Sequence, residues 1–265
     1  MQKLKPVSGR QSELKPEESP AYNNYGNLKA RQGNYQEALL LFNKAVQSDP
    51  DYAMAYNNRA LAYEKSGQLR RAVEDFKTAT RLRPGLFISW LNLAEAYRQA
   101  GQEKQALEAL ETALSLNPEA AFVYEIKSSL LIKIEAYGKA LDAIDNAEQL
   151  GLTNSNTSII RGICHYHLGN YRNALKMLNK AFKAGSKDPL IFSYLGFTHY
   201  QLGNYREAIG FLNQALRHSD QDPMLFAIRG MARLNIHDAA ACDDLRKAYA
   251  MGIAKLSTTI EENCK

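Results

Sequence analysis

Two histidines have a spacing that raises the question of a metal site. His165 and His199 are 34 residues apart, and His167 follows His165 by two positions. Imidazole binds zinc, but a zinc site also requires further nitrogen, carboxylate or thiolate ligands, and no such set accompanies these histidines. On a helix His167 would point away from His165. We therefore expect no metal ion and no other cofactor.

Sequence motifs for catalysis are missing. The chain contains no G-x-x-x-x-G-K-[ST] loop, no H-E-x-x-H helix and no G-x-S-x-G turn. Asp243 and Asp244 are adjacent carboxylates near a helix start, where the helix dipole favours negative charge. Two carboxylates alone do not make a hydrolase, so the sequence predicts a protein that is not an enzyme.

The charge of the chain does not single out nucleic acid as a ligand. Its 33 Lys and Arg residues exceed its 28 Asp and Glu residues by only five. One basic run consists of Arg70, Arg71, Lys77, Arg81 and Arg83. Glu74 and Asp75 interrupt it, which is typical of a solvated helix face. Nucleic acid is therefore not the expected partner, and a regulatory RNA-binding protein is kept as an alternative.

The cysteines and the hydropathy pattern bear on the compartment. Cys164, Cys242 and Cys264 are odd in number and widely spaced, so we expect no disulfide framework and a reducing compartment, with a periplasmic protein carrying free thiols as the alternative. No apolar run approaches the roughly 20 residues of a membrane helix, and residues 1–19 lack the apolar stretch of a signal peptide. These features predict a cytoplasmic protein without membrane insertion.

Small residues recur throughout the chain with a step of 34 residues. One alanine series comprises Ala38, Ala72, Ala106, Ala140, Ala174 and Ala208, and a second comprises Ala45, Ala79, Ala113, Ala147, Ala181 and Ala215. Glycine keeps the same step at Gly33, Gly67, Gly101, Gly169 and Gly203, with Glu135 in the missing place. This period is typical of helix–turn–helix repeats, in which each repeat buries its apolar face against its neighbours.

The repeats define the expected organisation. Each has a first helix, a turn closed by the glycine and a second helix, and prolines mark several joins. The predicted repeats are 19–52, 53–86, 87–120, 121–154, 155–188, 189–222 and a degenerate 223–256. Residues 1–18 are expected to be a disordered polar tail, and residues 257–265 a short C-terminal tail in which Ser257 caps a final turn.

These residues resemble the tetratricopeptide repeat family. The third repeat carries its signature at Trp90, Leu93, Ala94, Tyr97, Gly101, Ala106, Ala113 and Pro118. The fourth repeat departs from it, with Ser128 and Glu135 at places usually held by small residues and glycine. The resemblance implies an all-α, right-handed α-solenoid superhelix of about seven repeats, whose first helices line a concave groove.

Asparagines occupy the groove positions that the resemblance implies in the first three repeats. The sixth places hold Asn24, Asn58 and Asn92, with Asn27 nearby. A carboxamide offers a donor and an acceptor, which matches an extended peptide backbone without reading its side chains. The alternative is that these asparagines are merely solvated.

Apolar side chains replace asparagine in the later repeats. The sixth places there hold Ile126, Ile160, Tyr194 and Ile228, accompanied by Ile159, Ile163, Tyr166, Phe197, Tyr200, Met224 and Met231. Exposed aromatic and methionine side chains are typical of an anchor site for an apolar segment. The alternatives are packing between helices and coverage by the C-terminal tail.

A chaperone-type carboxylate clamp is not expected. The asparagine places of that clamp match Asn27 and Asn58, but its cation places hold Asn23, Ile88 and Asn92. Without lysine or arginine there, a carboxylate would lack its charge-assisted partners.

The sequence therefore predicts a non-enzymatic scaffold that binds a protein or peptide in its groove. The predicted binding residues are Asn24, Asn27, Asn58, Asn92, Tyr166, Tyr194, Phe197, Tyr200 and Met231. Self-association, in which the apolar groove of one copy takes the terminus of another, is a further alternative.

Overall fold

Residues 15–264, which the computed structural model describes, form helices and turns without a β-strand. They divide after Pro118 into two compact parts, here called the N-terminal body and the C-terminal body. The N-terminal body contains α1 (Ser19–Arg31), α2 (Tyr35–Ser48), α3 (Ala53–Lys65), α4 (Leu69–Leu82), α5 (Phe87–Gln99) and α6 (Glu103–Leu116). The C-terminal body contains α7 (Ala121–Lys133), α8 (Tyr137–Gln149), α9 (Ser155–His167), α10 (Tyr171–Lys183), α11 (Pro189–Gln201), α12 (Tyr205–Ala215), α13 (Pro223–Asn235), α14 (Ala241–Ala250) and α15 (Ser257–Asn263).

Consecutive helices pack in pairs within each body. The most extensive contacts join α1 with α2, α3 with α4 and α5 with α6, and in the C-terminal body α7 with α8, α9 with α10, α11 with α12 and α13 with α14. The second helix of one pair also contacts the first helix of the next, as α2 contacts α3 and α8 contacts α9. The predicted all-α class of stacked helix pairs is confirmed.

The periodic alanines lie where the paired helices cross. Both alanine series are buried, and large side chains fill the space beside them. These fillers are Phe42, Phe76, Leu110, Ile144, Leu178, Leu212 and Leu245. A short side chain at the crossing lets two helices approach closely, which explains why a small residue recurs there.

The second residue after each first helix adopts a left-handed conformation. Glycine takes this role five times, for example Gly101 with φ of 68°. Glu135 and His237 occupy the equivalent place in their repeats with φ of 61° and 56°. Because a side chain crowds the backbone in this region, these two turns are strained where the others are not.

Replacing either strained residue with glycine is therefore expected to stabilise the C-terminal body. We expect His237→Gly and Glu135→Gly each to raise the free energy of unfolding by about 1 kcal/mol, because relief of the left-handed strain exceeds the added entropy of the unfolded chain. Urea unfolding measures the change. Gly101→Ala is the reciprocal control, since an added Cβ there meets no atom within 4 Å and only the backbone conformation opposes it. Unchanged or lower stability of both glycine variants would contradict the strain.

An arginine ties three helices of the N-terminal body together. Arg59 on α3 donates from Nε and Nη2 to the two carboxylate oxygens of Asp75 on α4, at 2.6 and 2.8 Å. Its Nη1 donates to Oδ1 of Asn43 on α2 at 2.8 Å. The paired charge therefore links one repeat to the repeat before it.

The same arrangement recurs in the C-terminal body around Asp244. Arg229 on α13 donates from Nε and Nη2 to Asp244 on α14 at 2.7 and 2.5 Å, and from Nη1 to Asn213 on α12 at 2.7 Å. Arg233 adds a third charged donor, from Nη1 to Asp244 at 2.7 Å. Asp244 is thus a buried structural anion, which explains its place beside the exposed Asp243 without invoking catalysis.

The N-terminal tail was predicted for residues 1–18, of which residues 1–14 lie outside the described residues. Within the described part, Pro16–Glu18 form a short 3₁₀ helix rather than an irregular tail. Tyr22 donates to Glu18 at 3.4 Å, so this turn contacts α1. None of the helices in residues 15–264 is both long and apolar enough to cross a bilayer.

The C-terminal segment differs from the predicted short tail. Ala254–Leu256 form a 3₁₀ helix that leads into α15, and Leu256, not Ser257, stands at the N-cap without a side-chain bond. Leu256 and Cys264 are buried in a core cluster with residues of α13 and α14. The segment therefore caps the last helix pair.

A disulfide between Cys242 and Cys264 fastens this cap and corrects the expectation that the cysteines are unpaired. The two Cα atoms lie 5.5 Å apart, and Arg246 on α14 donates from Nη2 to the carbonyl oxygen of Cys264 at 2.7 Å. The sequence separation of 22 residues does not reveal the pairing, because it arises only when the chain folds back on α14. Cys164 is a buried free thiol.

Candidate functional site

Two members of the predicted asparagine row, Asn58 and Asn92, each form an amide hydrogen bond with a buried asparagine of the N-terminal body. Nδ2 of Asn58 donates to Oδ1 of Asn23 at 2.9 Å, and Nδ2 of Asn92 donates to Oδ1 of Asn57 at 3.1 Å. Asn23 and Asn57 are each only 3% exposed. Each buried asparagine therefore holds the amide of a groove asparagine from the following repeat.

These bonds fix which way the groove amides face. Ser89 also donates to Oδ1 of Asn57, at 3.2 Å, so Asn57 is held from two helices. Among residues 15–264, no donor occupies Oδ1 of Asn58 or of Asn92, which leaves two oriented carbonyl acceptors. Asn24 is exposed on α1 and Asn27 is half-buried. Sequence analysis placed these residues on one side of the first helices but did not reveal the bonds that orient them.

A cavity of about 420 Å³ opens between α1 and α3. Its polar lining consists of Asn27, Arg31, Asn58 and Lys65, with Tyr35 at the start of α2. Two of the four predicted asparagines thus face the same space. The two cations were not singled out from the sequence, although their common place at the end of adjacent first helices is visible in the repeat.

Aromatic rings of the C-terminal body form one interlocked group. Tyr166 lies 5.5 Å from Tyr194 and 6.1 Å from Phe197 between ring centroids, and Tyr194 lies 5.8 Å from Phe197. His167 stacks on Tyr137 at 4.2 Å, and its Nε2 is 3.0 Å from the hydroxyl of Tyr194. We call these five residues the aromatic cluster.

Burial shapes the chemistry of this aromatic cluster. It raises the pKa of Tyr194 to about 12, so the hydroxyl stays protonated. Three of the predicted anchor residues, Tyr166, Tyr194 and Phe197, lie in mutual contact within this cluster. The sequence does not reveal the stacking of His167 on Tyr137, because their 30-residue separation does not follow the repeat step.

Other predicted apolar residues lie apart from the aromatic cluster. Tyr200 faces Tyr205 at 5.8 Å. Met231 contacts the core cluster that includes Leu256 and Cys264. Internal packing, the alternative kept for the apolar row, holds for Ile159, Ile160 and Ile163, which are 3%, 4% and 5% exposed.

The predicted histidines His165 and His199 lie in different surroundings. His199 stacks on Phe211 at 5.3 Å, while Nδ1 of His165 is buried without a hydrogen-bond partner. Among the described residues, no three potential ligands of the His, Cys, Asp and Glu types come together. Desolvation is the main cause that lowers the pKa of His165, His167 and His199, and repulsion by Arg161 adds to it at His165.

Acid is accordingly expected to destabilise the C-terminal body. A histidine whose pKa is lowered by folding contributes stability above its unfolded pKa and loses it as the pH falls. The melting temperature should therefore drop from about pH 7.5 to about pH 5.5, before most carboxylates titrate. An NMR titration should place the His165 midpoint below the ordinary value near 6.5, and His165→Tyr should flatten the pH dependence. A raised His165 midpoint would contradict the role of burial.

The basic run on α4 is exposed, as a solvated helix face requires. Arg70, Arg71, Lys77, Arg81 and Arg83 all lie at the surface of the N-terminal body. Arg71 donates to Gln68 at 2.8 Å, and Lys77 lies 3.8 Å from Glu74. The aromatic side chain of α4, Phe76, is buried, so the run offers charge without a stacking surface for bases.

Paired helices, small residues at their crossings and a left-handed residue after each first helix define a helix-hairpin repeat protein. A family model described as TPR repeat matches residues 26–67, and two described as tetratricopeptide repeat match residues 48–197 and 165–232. The chain belongs to the tetratricopeptide repeat family. No curated protein matches it in sequence.

Solved structures share the fold at low sequence identity. A tetratricopeptide repeat protein from Parabacteroides merdae aligns with a TM-score of 0.68 and 17% identity, covering 94% of this chain and all of its own. The APC/C hetero-tetramer Cut9–Hcn1 aligns with a TM-score of 0.69 and 17% identity over 92% of this chain, which spans 49% of the matched chain. YrrB, described as a TPR protein with an unusual peptide-binding site, aligns with a TM-score of 0.56 and 20% identity, covering 72% of this chain and 99% of its own. Identities this low show the fold alone.

Proposed function

We propose that this protein is a non-enzymatic scaffold that holds an extended peptide segment of a protein partner against its first helices. The supporting observation is the pair of oriented carbonyl acceptors on Asn58 and Asn92, fixed from behind by Asn23 and Asn57. Preorganised amides bind a peptide backbone without the ordering cost of flexible side chains. A described peptide site in YrrB provides a precedent on the same fold.

The binding mechanism would be passive. Carbonyl oxygens of the asparagine row accept hydrogen bonds from the peptide backbone, which is common to every sequence and carries no side-chain preference. Apolar anchoring would come from the C-terminal body, where Tyr166, Tyr194 and Phe197 present a partly exposed aromatic surface. Aromatic anchors supply much of the binding energy at protein interfaces.

Variants of a captured partner complex test this function. A partner identified by affinity capture with the full chain should bind Asn58→Ala/Asn92→Ala at least about tenfold more weakly, since each lost charge-neutral hydrogen bond is worth about 1 kcal/mol. Asn146→Ala/Asn235→Ala is the matched control, because these exposed amides only donate to carbonyls of their own helices. Tyr194→Ala/Phe197→Ala tests the aromatic surface. Helicity must first be checked, because Asn58→Ala also removes the donor to the buried Asn23. Undiminished binding by both folded double variants would refute the proposal.

The disulfide changes the proposed compartment. Disulfides persist in oxidising environments and are rare in the cytoplasm, so we propose that this chain works in an oxidising compartment rather than the expected cytoplasmic one. Burial raises the pKa of Cys164 to about 12, which leaves it an unreactive thiol. The protein from its native source should be denatured without reductant and then alkylated. Only Cys164 should be labelled, because Cys242 and Cys264 are paired. Labelling of all three cysteines would refute the oxidising assignment.

A further inference from the structure

The cavity between α1 and α3 combines positive charge with neutral hydrogen-bonding groups. Arg31 and Lys65 line it together with Asn27, Asn58 and Tyr35, and no acidic side chain contributes to its wall. Its volume of about 420 Å³ lies within the range of ligand sites in proteins. An unbalanced pair of cations in a concave site favours an anionic ligand.

Neither cation has an ion-pair partner within the described part of the chain. The nearby carboxylates have closer partners: Glu37 pairs with Lys29 at 2.7 Å, and Glu95 pairs with Arg98 at 2.6 Å, while Lys65 acts on Glu95 only through its charge. Glu64, next to Lys65, accepts from Gln99 at 3.0 Å. Both cations are exposed, so their charge is available to a ligand without breaking an internal contact.

The repeat sets the spacing of the two charges. Arg31 and Lys65 hold the same place in the first and second repeats, at the last residues of α1 and α3. These helices contact each other, and packed helix axes lie about 8–10 Å apart. A peptide in the polyproline II conformation rises about 3.1 Å per residue and returns to the same side every three residues. Side chains three residues apart on such a peptide match the two cations.

We propose that this cavity binds an acidic peptide segment, in which two Asp or Glu side chains three residues apart meet Arg31 and Lys65. The inference rests on the proposed scaffold function and adds the charge of the bound segment. The backbone between the two acids would lie against Asn58, which lines the cavity and whose Nδ2 is held by Asn23. The amide of Asn58 therefore binds the peptide backbone, and Arg31 and Lys65 select acidic side chains of the peptide.

This site differs from the chaperone-type clamp in where its cations stand. The clamp would require cations at Asn23, Ile88 and Asn92, and those places are neutral. The two cations here end the first helices, where positive charge also complements the helix dipole. A purely structural role in the dipole is therefore one outcome that the experiment must separate.

Selection from a random peptide array tests the proposal with the full-length protein. Peptides of roughly ten residues, acetylated and amidated at their ends, should show enrichment of Asp or Glu at positions i and i+3. The enrichment should disappear for Arg31→Gln/Lys65→Gln and persist for Arg81→Gln/Arg83→Gln. The latter pair is the matched control because it removes two exposed cations from the same body.

Direct titration then measures the effect. A peptide with the Glu-x-x-Glu spacing should bind the Arg31→Gln/Lys65→Gln variant about tenfold more weakly than the unaltered protein, as expected for two partly solvated charge contacts. Its Gln-x-x-Gln counterpart should bind both proteins equally. Higher salt should weaken only the acidic peptide.

Each remaining outcome identifies which idea fails. Selection of neutral peptides, lost in Asn58→Ala/Asn92→Ala, would keep the scaffold function and overturn the acidic preference. If Arg31→Gln/Lys65→Gln and Arg81→Gln/Arg83→Gln select acidic peptides equally well, Arg31 and Lys65 do not select the peptide and serve only the helix dipole. Preference for a free C-terminal carboxylate over internal acids would overturn the proposed ligand. Failure to select any peptide would count against the scaffold function itself.

Discussion

Replacing Asp244 with alanine is expected to lower the free energy of unfolding of the C-terminal body by about 3–5 kcal/mol. The Asp244 side chain is 5% exposed, and those of Arg229 and Arg233 are 15% and 17% exposed. Removal of the carboxylate leaves the mostly buried Arg229 with only the neutral Asn213 as a partner, while Arg233 keeps Asp238 at 3.5 Å. The penalty is the uncompensated charge, and it exceeds the value of any single hydrogen bond.

The neighbouring carboxylate provides the control for this loss. Asp243→Ala removes an exposed acid from the same turn of α14, so it should cost about 0.3–1 kcal/mol through the helix dipole. Asp244→Asn keeps the shape and one acceptor oxygen and should fall between the two. Urea unfolding followed by circular dichroism measures all three variants. A loss below that of Asp243→Ala would show that Arg229 and Arg233 find water or other partners at little cost.

Loss of the disulfide is expected to have the second largest effect. Cys264→Ser should lower the free energy of unfolding of the C-terminal body by about 3 kcal/mol, because the closed loop of 22 residues restricts the unfolded chain. The apolar face that Leu256 and Cys264 cover would then open to solvent. Limited proteolysis should cut within α15 of the variant before it cuts the other helices.

Reduction of the unaltered protein supplies an independent check. Dithiothreitol should reproduce the Cys264→Ser stability in the unaltered chain and should leave the variant unchanged. Cys164→Ala is the control for a cysteine outside the pair, and its response to reductant should match that of the unaltered protein. Identical stability with and without reductant would mean that packing of Leu256 and Ile260 alone holds the cap in place.

Periodic features of the chain could be predicted from its sequence, because they are set locally in every repeat. The alanine at each helix crossing and the left-handed residue after each first helix recur at the same step, so one repeat predicts the next. Glu135, which the sequence shows only as a departure from the glycine series, keeps the same left-handed conformation with φ of 61°. The helical class followed from the same regularity.

Contacts that occur once could not be predicted in this way. Cys242 meets Cys264 across 22 residues, a separation that is not a multiple of the repeat step. Such pairings depend on how the helices of a pair rotate against each other, which the spacing of residues along one helix does not determine. The stacking of His167 on Tyr137 was missed for the same reason.

The candidate site contains residues that the repeat predicts and contacts that only the structure reveals. The identities of Asn58 and Asn92 came from the repeat, and they remain predictions as binding residues. Their orientation depends on hydrogen bonds to Asn23 and Asn57, which the sequence does not reveal. The cations of the cavity, Arg31 and Lys65, gained their interest only when the structure placed them in one cavity wall that contains no acidic side chain.

The disulfide joins the start of α14 to the residue after α15, so it distinguishes the last helix pair from the others. A stack of repeats frays from its ends inward, because a terminal repeat has only one neighbour. The crosslink from Cys242 to Cys264 suppresses fraying on that side, whereas α1 has no preceding helix pair within the described residues. The last helix pair, α13 and α14, should therefore open less readily than it would without the crosslink, so an unfoldase that pulls from the C-terminal side would meet the crosslinked pair first.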